Sequence, residues 1–185
     1  LAGASISHPH TQIIALPMIP KNILTEIESC RAHYKKTSRS LICDLAISEI
    51  RAKSRIVEDD DNFVSFCPYA SFWPFEVNIC PKKTVKDFAA LDEGSIFELA
   101  NILLSSVRRI SMALKGVSFN IFLKTMPPKR EDVEPNFYYK MDEFYRWHIE
   151  IVPRIPVIGG FELSSGVFIN TVAPEESAKF LRSIV

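Results

Sequence analysis

Residues 92–124 read DEGSIFELANILLSSVRRISMALKGVSFNIFLK, and this stretch decides the fold because it passes from a helical period to a strand period. Apolar residues recur at intervals of three or four in its first part: Ile96, Leu99, Leu103, Val107, Ile110 and Leu114. This spacing predicts a long amphipathic helix, with Asp92 as its N-cap and Gly116 at its end. In residues 119–124 every second side chain is apolar, which predicts a β-strand.

The segments on either side of this stretch complete the expected fold. Residues 147–152 have the two-residue period of a strand, and the short apolar runs in 55–61, 63–67 and 75–80 are typical of strands joined by turns. The other predicted elements are helices in 21–39 and 41–50, a short strand in 167–170 and a last helix that begins at Pro174. This order predicts an α+β fold with an antiparallel sheet and one dominant helix.

The charge balance of the chain excludes some classes of partner. Its 22 lysines and arginines match 22 aspartates and glutamates, whereas a protein that binds nucleic acid or an acidic membrane over a broad surface carries a basic excess. No run approaches the roughly 18 apolar residues of a membrane span, and the four cysteines contain no CxxC pair. We therefore expect a cytoplasmic protein with free or buried thiols and no nucleic-acid or membrane partner. The abrupt start at Leu1 predicts that further residues precede it.

Residues 7–12, SHPHTQ, form the densest group of chemically competent side chains. They lie within an apolar segment, 6–16, that predicts a strand closed by prolines, and in a strand His8, His10 and Gln12 project from one face. An exposed edge strand is one interpretation of this pattern. Metal ligation by a neutral imidazole and nucleophilic catalysis by a ring nitrogen are the others.

Residues 3–12 resemble the HPHxQ active-site signature of the galactose-1-phosphate uridylyltransferase family, a branch of the histidine triad superfamily whose relatives include ADP-glucose phosphorylase. Later segments are similar to the family in the same order: Pro74-Phe75-Glu76, Pro81-Lys82, residues 147–154, Gly159-Gly160-Phe161-Glu162 and Asn170. The resemblance spans nearly the whole chain and implies a histidine triad (HIT-like) antiparallel sheet with one long helix. It also implies that residues 1–20 hold the last strand of a preceding HIT-like half, residues 21–54 a helical connector, and residues 55–185 a C-terminal HIT-like domain.

The resemblance implies a two-step nucleotidyl transfer. His10 attacks the α-phosphorus of a nucleotide sugar such as UDP-glucose, and the nucleotidyl group on His10 then passes to a hexose 1-phosphate. Gln12 stands in place of a third histidine and donates to a phosphoryl oxygen. Two alternatives stay open: an ADP-glucose phosphorylase-like enzyme that uses phosphate as its acceptor, and a nucleotide-binding relative without activity. The family also leads us to expect a homodimer.

Metal ligands follow from the same resemblance. His8 matches a ligand of a structural zinc whose other ligands lie upstream of this chain, so zinc is the expected cofactor. Glu26 and His148 match ligands of a second metal site, and Lys124 and Glu150 stand where its other ligands are expected. An ammonium is a poor metal ligand, which favours the alternative that these four residues form a salt-bridge or hydrogen-bond cluster without a metal.

The last part of the chain bears on catalysis and on the sugar. Of the expected histidines in the closing strand only His148 remains, and Glu150 stands at the nucleophile's position with an acceptor-only carboxylate. Residues 55–155 thus resemble the non-catalytic half of a duplicated protein. Glu162 and Asn170 match the segment that contacts the hexose in the family, so they are the expected sugar-binding residues.

Overall fold

The structure is a computed structural model that describes residues 8–14, 16–82, 87–155 and 158–184. In these ranges five strands form one antiparallel sheet in the order β1-β2-β3-β5-β4. The strands are β1 (Ile56–Asp59), β2 (Phe63–Phe66), β3 (Val77–Pro81), β4 (Phe119–Lys124) and β5 (His148–Pro153). The helices are α1 (Lys21–Thr37), α2 (Leu41–Ala52), α3 (Glu93–Ala113), α4 (Met141–Phe144), α5 (Gly160–Ser165) and α6 (Pro174–Ser183). This arrangement confirms the predicted α+β class.

The dominant helix, α3, is 21 residues long and has the ends that its sequence predicts. The Asp92 carboxylate accepts a hydrogen bond from the backbone N–H of Ser95 at 2.7 Å, which satisfies one of the free donors of the first turn. At the other end Gly116 adopts φ +76° and donates its N–H to the carbonyl oxygen of Ser111 at 2.7 Å. Lys115, at φ +52°, is also in the left-handed region, so the helix ends over these two residues, of which only glycine avoids a steric penalty.

One face of the sheet packs against α3 and α6 and forms the main core. Its buried residues include Val57, Phe63, Val77, Ile79, Leu99, Ile102, Ile110, Trp147, Ile149, Ile151, Ala178 and Leu181. Burying one large apolar side chain contributes about 1.5–3 kcal/mol, so this face supplies most of the stability. Ile149 and Ile151 are alternate residues of β5, as the two-residue period predicts.

The opposite face of the sheet lies against the two N-terminal helices. Ala46 of α2 packs on Val64, Phe66 and Cys80. Helix α1 packs on α2 and on α4, in a cluster of Ile27, Cys30, Met141, Phe144 and Tyr145. The polar residues of β5, His148 and Glu150, project to this second face and lie close to α1.

The segment that precedes α1 differs from its prediction. Residues 8–14 and 16 are exposed and have no regular secondary structure, whereas residues 6–16 were expected to form a strand. Residues 1–7 and 15 lie outside the described residues. The described part of the segment pairs with none of the five strands, so its backbone lacks the ladder of hydrogen bonds that defines a strand.

The segment after β5 also differs from its prediction. Residues 167–170 are irregular and pair with none of the five strands, so they do not form the expected short strand. The side chain of Phe168 packs on Phe72 and Trp73 at centroid distances of 5.1 and 5.2 Å. The last helix begins at Pro174 as predicted. Among the described residues, no helix combines the length and apolarity needed to cross a bilayer.

Candidate functional site

The exposed segment 8–14 carries the predicted nucleophile, His10. Nδ1 of His10 lies 2.9 Å from the backbone oxygen of His8, and the two imidazole rings meet edge to face at a centroid distance of 6.1 Å. A carbonyl oxygen only accepts hydrogen bonds, so Nδ1 carries the proton of the neutral ring. The unshared electron pair is then on Nε2, which is the nitrogen left for chemistry.

His8 and Gln12 are exposed beside His10. Nδ1 of His8 lies 3.3 Å from the backbone oxygen of Pro9, so this contact is local. Among the described residues, the group of His, Cys, Asp and Glu side chains with metal-site geometry lies elsewhere and does not include His8. The residues described here therefore do not complete a zinc site around His8.

The other predicted metal-site residues do come together, between α1 and the sheet. Nζ of Lys124 donates to Oε2 of Glu26 at 2.9 Å and to Oε1 of Glu150 at 2.7 Å. Nε2 of His148 lies 3.7 Å from Oε1 of Glu26 and 3.7 Å from Oε1 of Glu150. We call Glu26, Lys124, His148 and Glu150 the ion cluster.

The strand register explains why the ion cluster forms. Lys124 is paired with His148 across β4 and β5, and Glu150 is two residues further along β5, so the three side chains project from one face of the sheet. Glu26 comes from α1, which packs over this end of the sheet. The cluster therefore ties the helix that follows the His10 segment to the two strands.

Lys124 and Glu150 of the ion cluster each stabilise the charged form of the other. Burial by itself would raise the pKa of Glu150, but its contacts with His148 and Lys124 outweigh that effect and hold the pKa below its usual value. Burial would lower the pKa of Lys124, but the two carboxylates outweigh it and hold the pKa above its usual value. Lys124 is thus an ammonium and Glu150 a carboxylate at neutral pH.

The ion cluster has only part of what a divalent metal needs. Ligand atoms of Glu26, His148 and Glu150 all lie within 4.8 Å of one another, as in a metal site. The Lys124 ammonium, however, bonds to both carboxylates and offers no electron pair. These contacts favour the salt-bridge alternative.

Tyr145 is a further member of this region that sequence reasoning missed. Its hydroxyl is buried and donates to Oε1 of Glu26 at 2.7 Å. Burial, followed by the charge of Glu26, raises the pKa of Tyr145 strongly, so the hydroxyl remains a donor. Tyr145 and Glu26 are 119 residues apart, and no periodicity of the sequence reports such a contact.

Glu76 is a buried carboxyl to which sequence reasoning gave no role. It is 7% exposed, and its Oε2 accepts hydrogen bonds from the backbone N–H groups of Phe72 at 2.9 Å and Trp73 at 3.3 Å. Burial, followed by the charge of Glu150, raises the pKa of Glu76 to about 7, although the two N–H groups oppose the shift. A lone acid immediately before an apolar strand was the signal in the sequence.

Stability is expected to fall as the pH rises through the titration of Glu76. Between pH 4.5 and about 7 the folded protein keeps a proton on Glu76 that the unfolded chain has released, so the free energy of unfolding decreases across this window. We expect a loss of about 3 kcal/mol, levelling off above pH 7, in urea denaturation followed by Trp fluorescence.

Two variants separate Glu76 from other carboxyl groups. Glu76→Gln keeps an acceptor oxygen for the two N–H groups without the charge, so its stability should vary less with pH and should exceed that of the native protein at pH 8. Glu131→Gln, at an exposed position, should retain the native profile. A Glu76→Gln profile as steep as the native one would contradict the assignment.

The predicted sugar contacts lie in the segment after β5. Glu162 is partly exposed in α5, and its Oε2 would lie 2.8 Å from a β-carbon at Gly159, so the glycine makes room for this carboxylate. The Asn170 amide donates to Oγ of Ser71 at 2.9 Å, and its oxygen accepts from the N–H of Val172 at 3.0 Å. Asn170 therefore links the segment after α5 to the loop that contains Ser71, whereas Glu162 is accessible to a ligand.

The four cysteines are free thiols, and the three buried ones are poor nucleophiles. Burial raises the pKa of Cys30 and that of Cys67 to about 12, and Cys80 is also raised by burial. A thiol with so high a pKa is uncharged at neutral pH and therefore unreactive. The expectation of free or buried thiols is confirmed.

Several known proteins are similar to this chain over nearly its whole length. The Arabidopsis thaliana protein named ADP-glucose phosphorylase is 30% identical over 183 residues, which cover 99% of this chain and 49% of that protein. A crystal structure of an ADP-glucose phosphorylase from the same organism with bound ADP-glucose has a TM-score of 0.85 and 29% identity, and covers 99% of this chain and 56% of that chain. The galactose-1-phosphate uridylyltransferase of Thermotoga maritima is 28% identical and covers 97% of this chain and 56% of its own length. The chain thus spans about half the length of the curated relatives it matches.

Two further findings define the fold and the family. A Hit-like protein from Bartonella henselae has a TM-score of 0.51 and 16% identity over 76% of this chain and 95% of its own, which shows a common HIT-like fold alone. Residues 26–180 match the family model described as galactose-1-phosphate uridyl transferase, C-terminal domain. Because this match covers most of the chain, the protein belongs to the galactose-1-phosphate uridyl transferase family.

Proposed function

We propose that this protein transfers a nucleotidyl group from a nucleotide sugar to a phosphate-bearing acceptor, through a covalent adduct on Nε2 of His10. The observation that carries the proposal is the hydrogen bond from Nδ1 of His10 to the His8 carbonyl oxygen, since it leaves the electron pair on Nε2. A neutral imidazole nitrogen of this kind is nucleophilic near pH 7.

The first step forms a bond between Nε2 and the α-phosphorus. The bond from that phosphorus to the bridging oxygen breaks, and the oxygen leaves with its electron pair as part of hexose 1-phosphate. The His10 ring becomes cationic, and its Nδ1–H still donates to the His8 carbonyl oxygen, which stabilises the positive charge. Gln12 is a neutral donor on the same segment, suited to a phosphoryl oxygen and unable to compete as a nucleophile.

The second step reverses the first with a different acceptor. A phosphate oxygen of the acceptor attacks the α-phosphorus, the P–N bond breaks, and its electron pair returns to Nε2. Glu162, open to solvent in α5, is the proposed contact to sugar hydroxyls, with Asn170 holding the neighbouring segment in place. The partners in this proposal are a nucleotide sugar and a sugar phosphate.

The adduct can be tested directly. Incubation of the purified protein with UDP-glucose or ADP-glucose that is radiolabelled in the α-phosphate is expected to leave label on His10, because a phosphoramidate is stable in base and labile in acid. Peptide mapping after digestion locates the label. Equal labelling of a His10→Ala variant would rule the adduct out.

A second acceptor has its own support. The relative named ADP-glucose phosphorylase matches 99% of this chain, so inorganic phosphate is an alternative acceptor to hexose 1-phosphate. Product analysis separates the two: ADP forms from ADP-glucose and phosphate, whereas UDP-galactose forms from UDP-glucose and galactose 1-phosphate. Nucleotide binding without either product would favour a relative that binds but does not catalyse.

A further inference from the structure

The ion cluster presents three electron-rich groups to one small space. Nδ1 of His148 donates to the carbonyl oxygen of Arg146 at 3.2 Å, so Nε2 is the ring nitrogen that faces the cluster and could bind a metal. That Nε2 faces Glu26 and Glu150, each with a carboxylate oxygen 3.7 Å away. Two carboxylates around one point require a positive partner.

The positive partner in the described residues is the side chain of Lys124. Its Nζ bonds to Glu26 at 2.9 Å and to Glu150 at 2.7 Å, and the side chain is 20% exposed. Lys124 is paired with His148 across β4 and β5, so both side chains project from the same face of the sheet. Lys124 therefore supplies a positive charge within the ion cluster.

A metal ion and this ammonium compete for one position. A divalent ion held by the same oxygens and by Nε2 would lie roughly 2.0–2.3 Å from each of them. The ammonium already bonds to both carboxylates, at 2.9 Å from Oε2 of Glu26 and 2.7 Å from Oε1 of Glu150, so an ion held by the same two side chains would lie against it. Two cations in contact repel strongly where water is scarce, so only one of them can be bound.

We propose that Lys124 is a built-in cation that takes the place of a divalent metal in the ion cluster, and that removing its charge turns the cluster into a metal-binding site. The native cluster then holds α1 to β4 and β5 whatever the supply of metal.

The test compares metal binding by the full chain and three variants at position 124. All four proteins carry His8→Asn and His10→Asn, which remove the exposed imidazole pair as a competing ligand. The protein with these two substitutions and native Lys124 is called the parent. Lys124→His adds a fourth nitrogen or oxygen ligand to Glu26, His148 and Glu150, Lys124→Met leaves three ligands without a charge, and Lys124→Arg keeps the charge. Co²⁺ is titrated with detection by visible absorption, and Zn²⁺ content is measured after dialysis.

Lys124→His is expected to bind about one equivalent of Co²⁺ or Zn²⁺, at least about 100-fold more tightly than the parent, and Lys124→Met to bind more weakly. The parent and Lys124→Arg should bind none at this cluster. Adding Glu26→Gln to Lys124→His should abolish the absorption band, which ties the metal to the cluster.

Two outcomes would overturn the proposal. One is a parent protein that binds an equivalent of Zn²⁺ and loses it on Glu150→Gln, since Lys124 would then coexist with the metal. The other is a Lys124→His or Lys124→Met variant that binds no metal although its circular dichroism shows a native fold. The first outcome is measured on a protein with native Lys124, so it can be observed even if the variants at position 124 do not fold.

Discussion

Replacing His10 with asparagine is expected to lower turnover by on the order of 10⁴-fold, because the substitution removes the nucleophile on which both steps depend. The side chain is exposed and its hydrogen bond is local, so the free energy of unfolding should change by less than about 0.5 kcal/mol. Nucleotide-sugar affinity should fall much less than turnover. Steady-state kinetics with both nucleotide sugars, together with urea denaturation, measure these quantities.

The control for this variant is His33→Asn. His33 is on α1 and its Nε2 donates to the Asp44 carboxylate at 2.7 Å, outside the proposed catalytic residues, so turnover should stay within about twofold of native. A His10→Asn protein that retains a tenth or more of native turnover would show that another group forms the adduct or that transfer is direct.

Replacing Lys124 with methionine is expected to lower the free energy of unfolding by about 2–3 kcal/mol at pH 7. Methionine has a similar length, so the loss arises from charge and not from a cavity. Two partly buried carboxylates, on Glu26 and Glu150, then face each other without a cation. Urea denaturation in a metal-free buffer measures the loss.

Two further variants identify its cause. Glu150→Gln added to Lys124→Met removes one of the two unpaired charges and should restore about half of the loss, because the remaining repulsion disappears. Lys179→Met, at an exposed position of α6, should change stability by less than about 0.5 kcal/mol. A Lys124→Met protein as stable as the native one would show that the ion cluster contributes nothing to the fold.

The metal experiment and the stability experiment bear on different properties of the same residue. Stability of Lys124→Met reports the charge pairing in the native cluster, whereas Co²⁺ binding by Lys124→His reports whether the ligand geometry suits a divalent ion. Neither depends on the proposed activity of His10. Failure of the nucleotidyl transfer would therefore leave the assignment of Lys124 intact, and the reverse also holds.

Several elements could be predicted from the sequence because their signals are local. The spacing of apolar residues in 92–116 predicts α3, and the capping residues Asp92 and Gly116 predict its ends, since helix periodicity and capping depend on neighbours within one or two turns. The two-residue period likewise predicts β4 and β5. Residues 167–170 have a similar apolar character, but Phe168 packs on Phe72 and Trp73, and the segment forms no β-sheet hydrogen bonds with the five strands.

By itself, the sequence determined the fold class, the long helix and the motif that suggests chemistry at His10, because period, capping and residue type act over short distances along the chain. It listed Glu26, Lys124, His148 and Glu150 as a set without deciding between a metal site and an ion pair. Only the tertiary structure decided that Lys124 Nζ lies between two carboxylates, one of them 98 residues away on α1. It alone showed the raised pKa of Glu76 and the hydroxyl of Tyr145 on Glu26. Such properties depend on burial and on contacts between distant segments, and both arise only when the helices pack on the sheet.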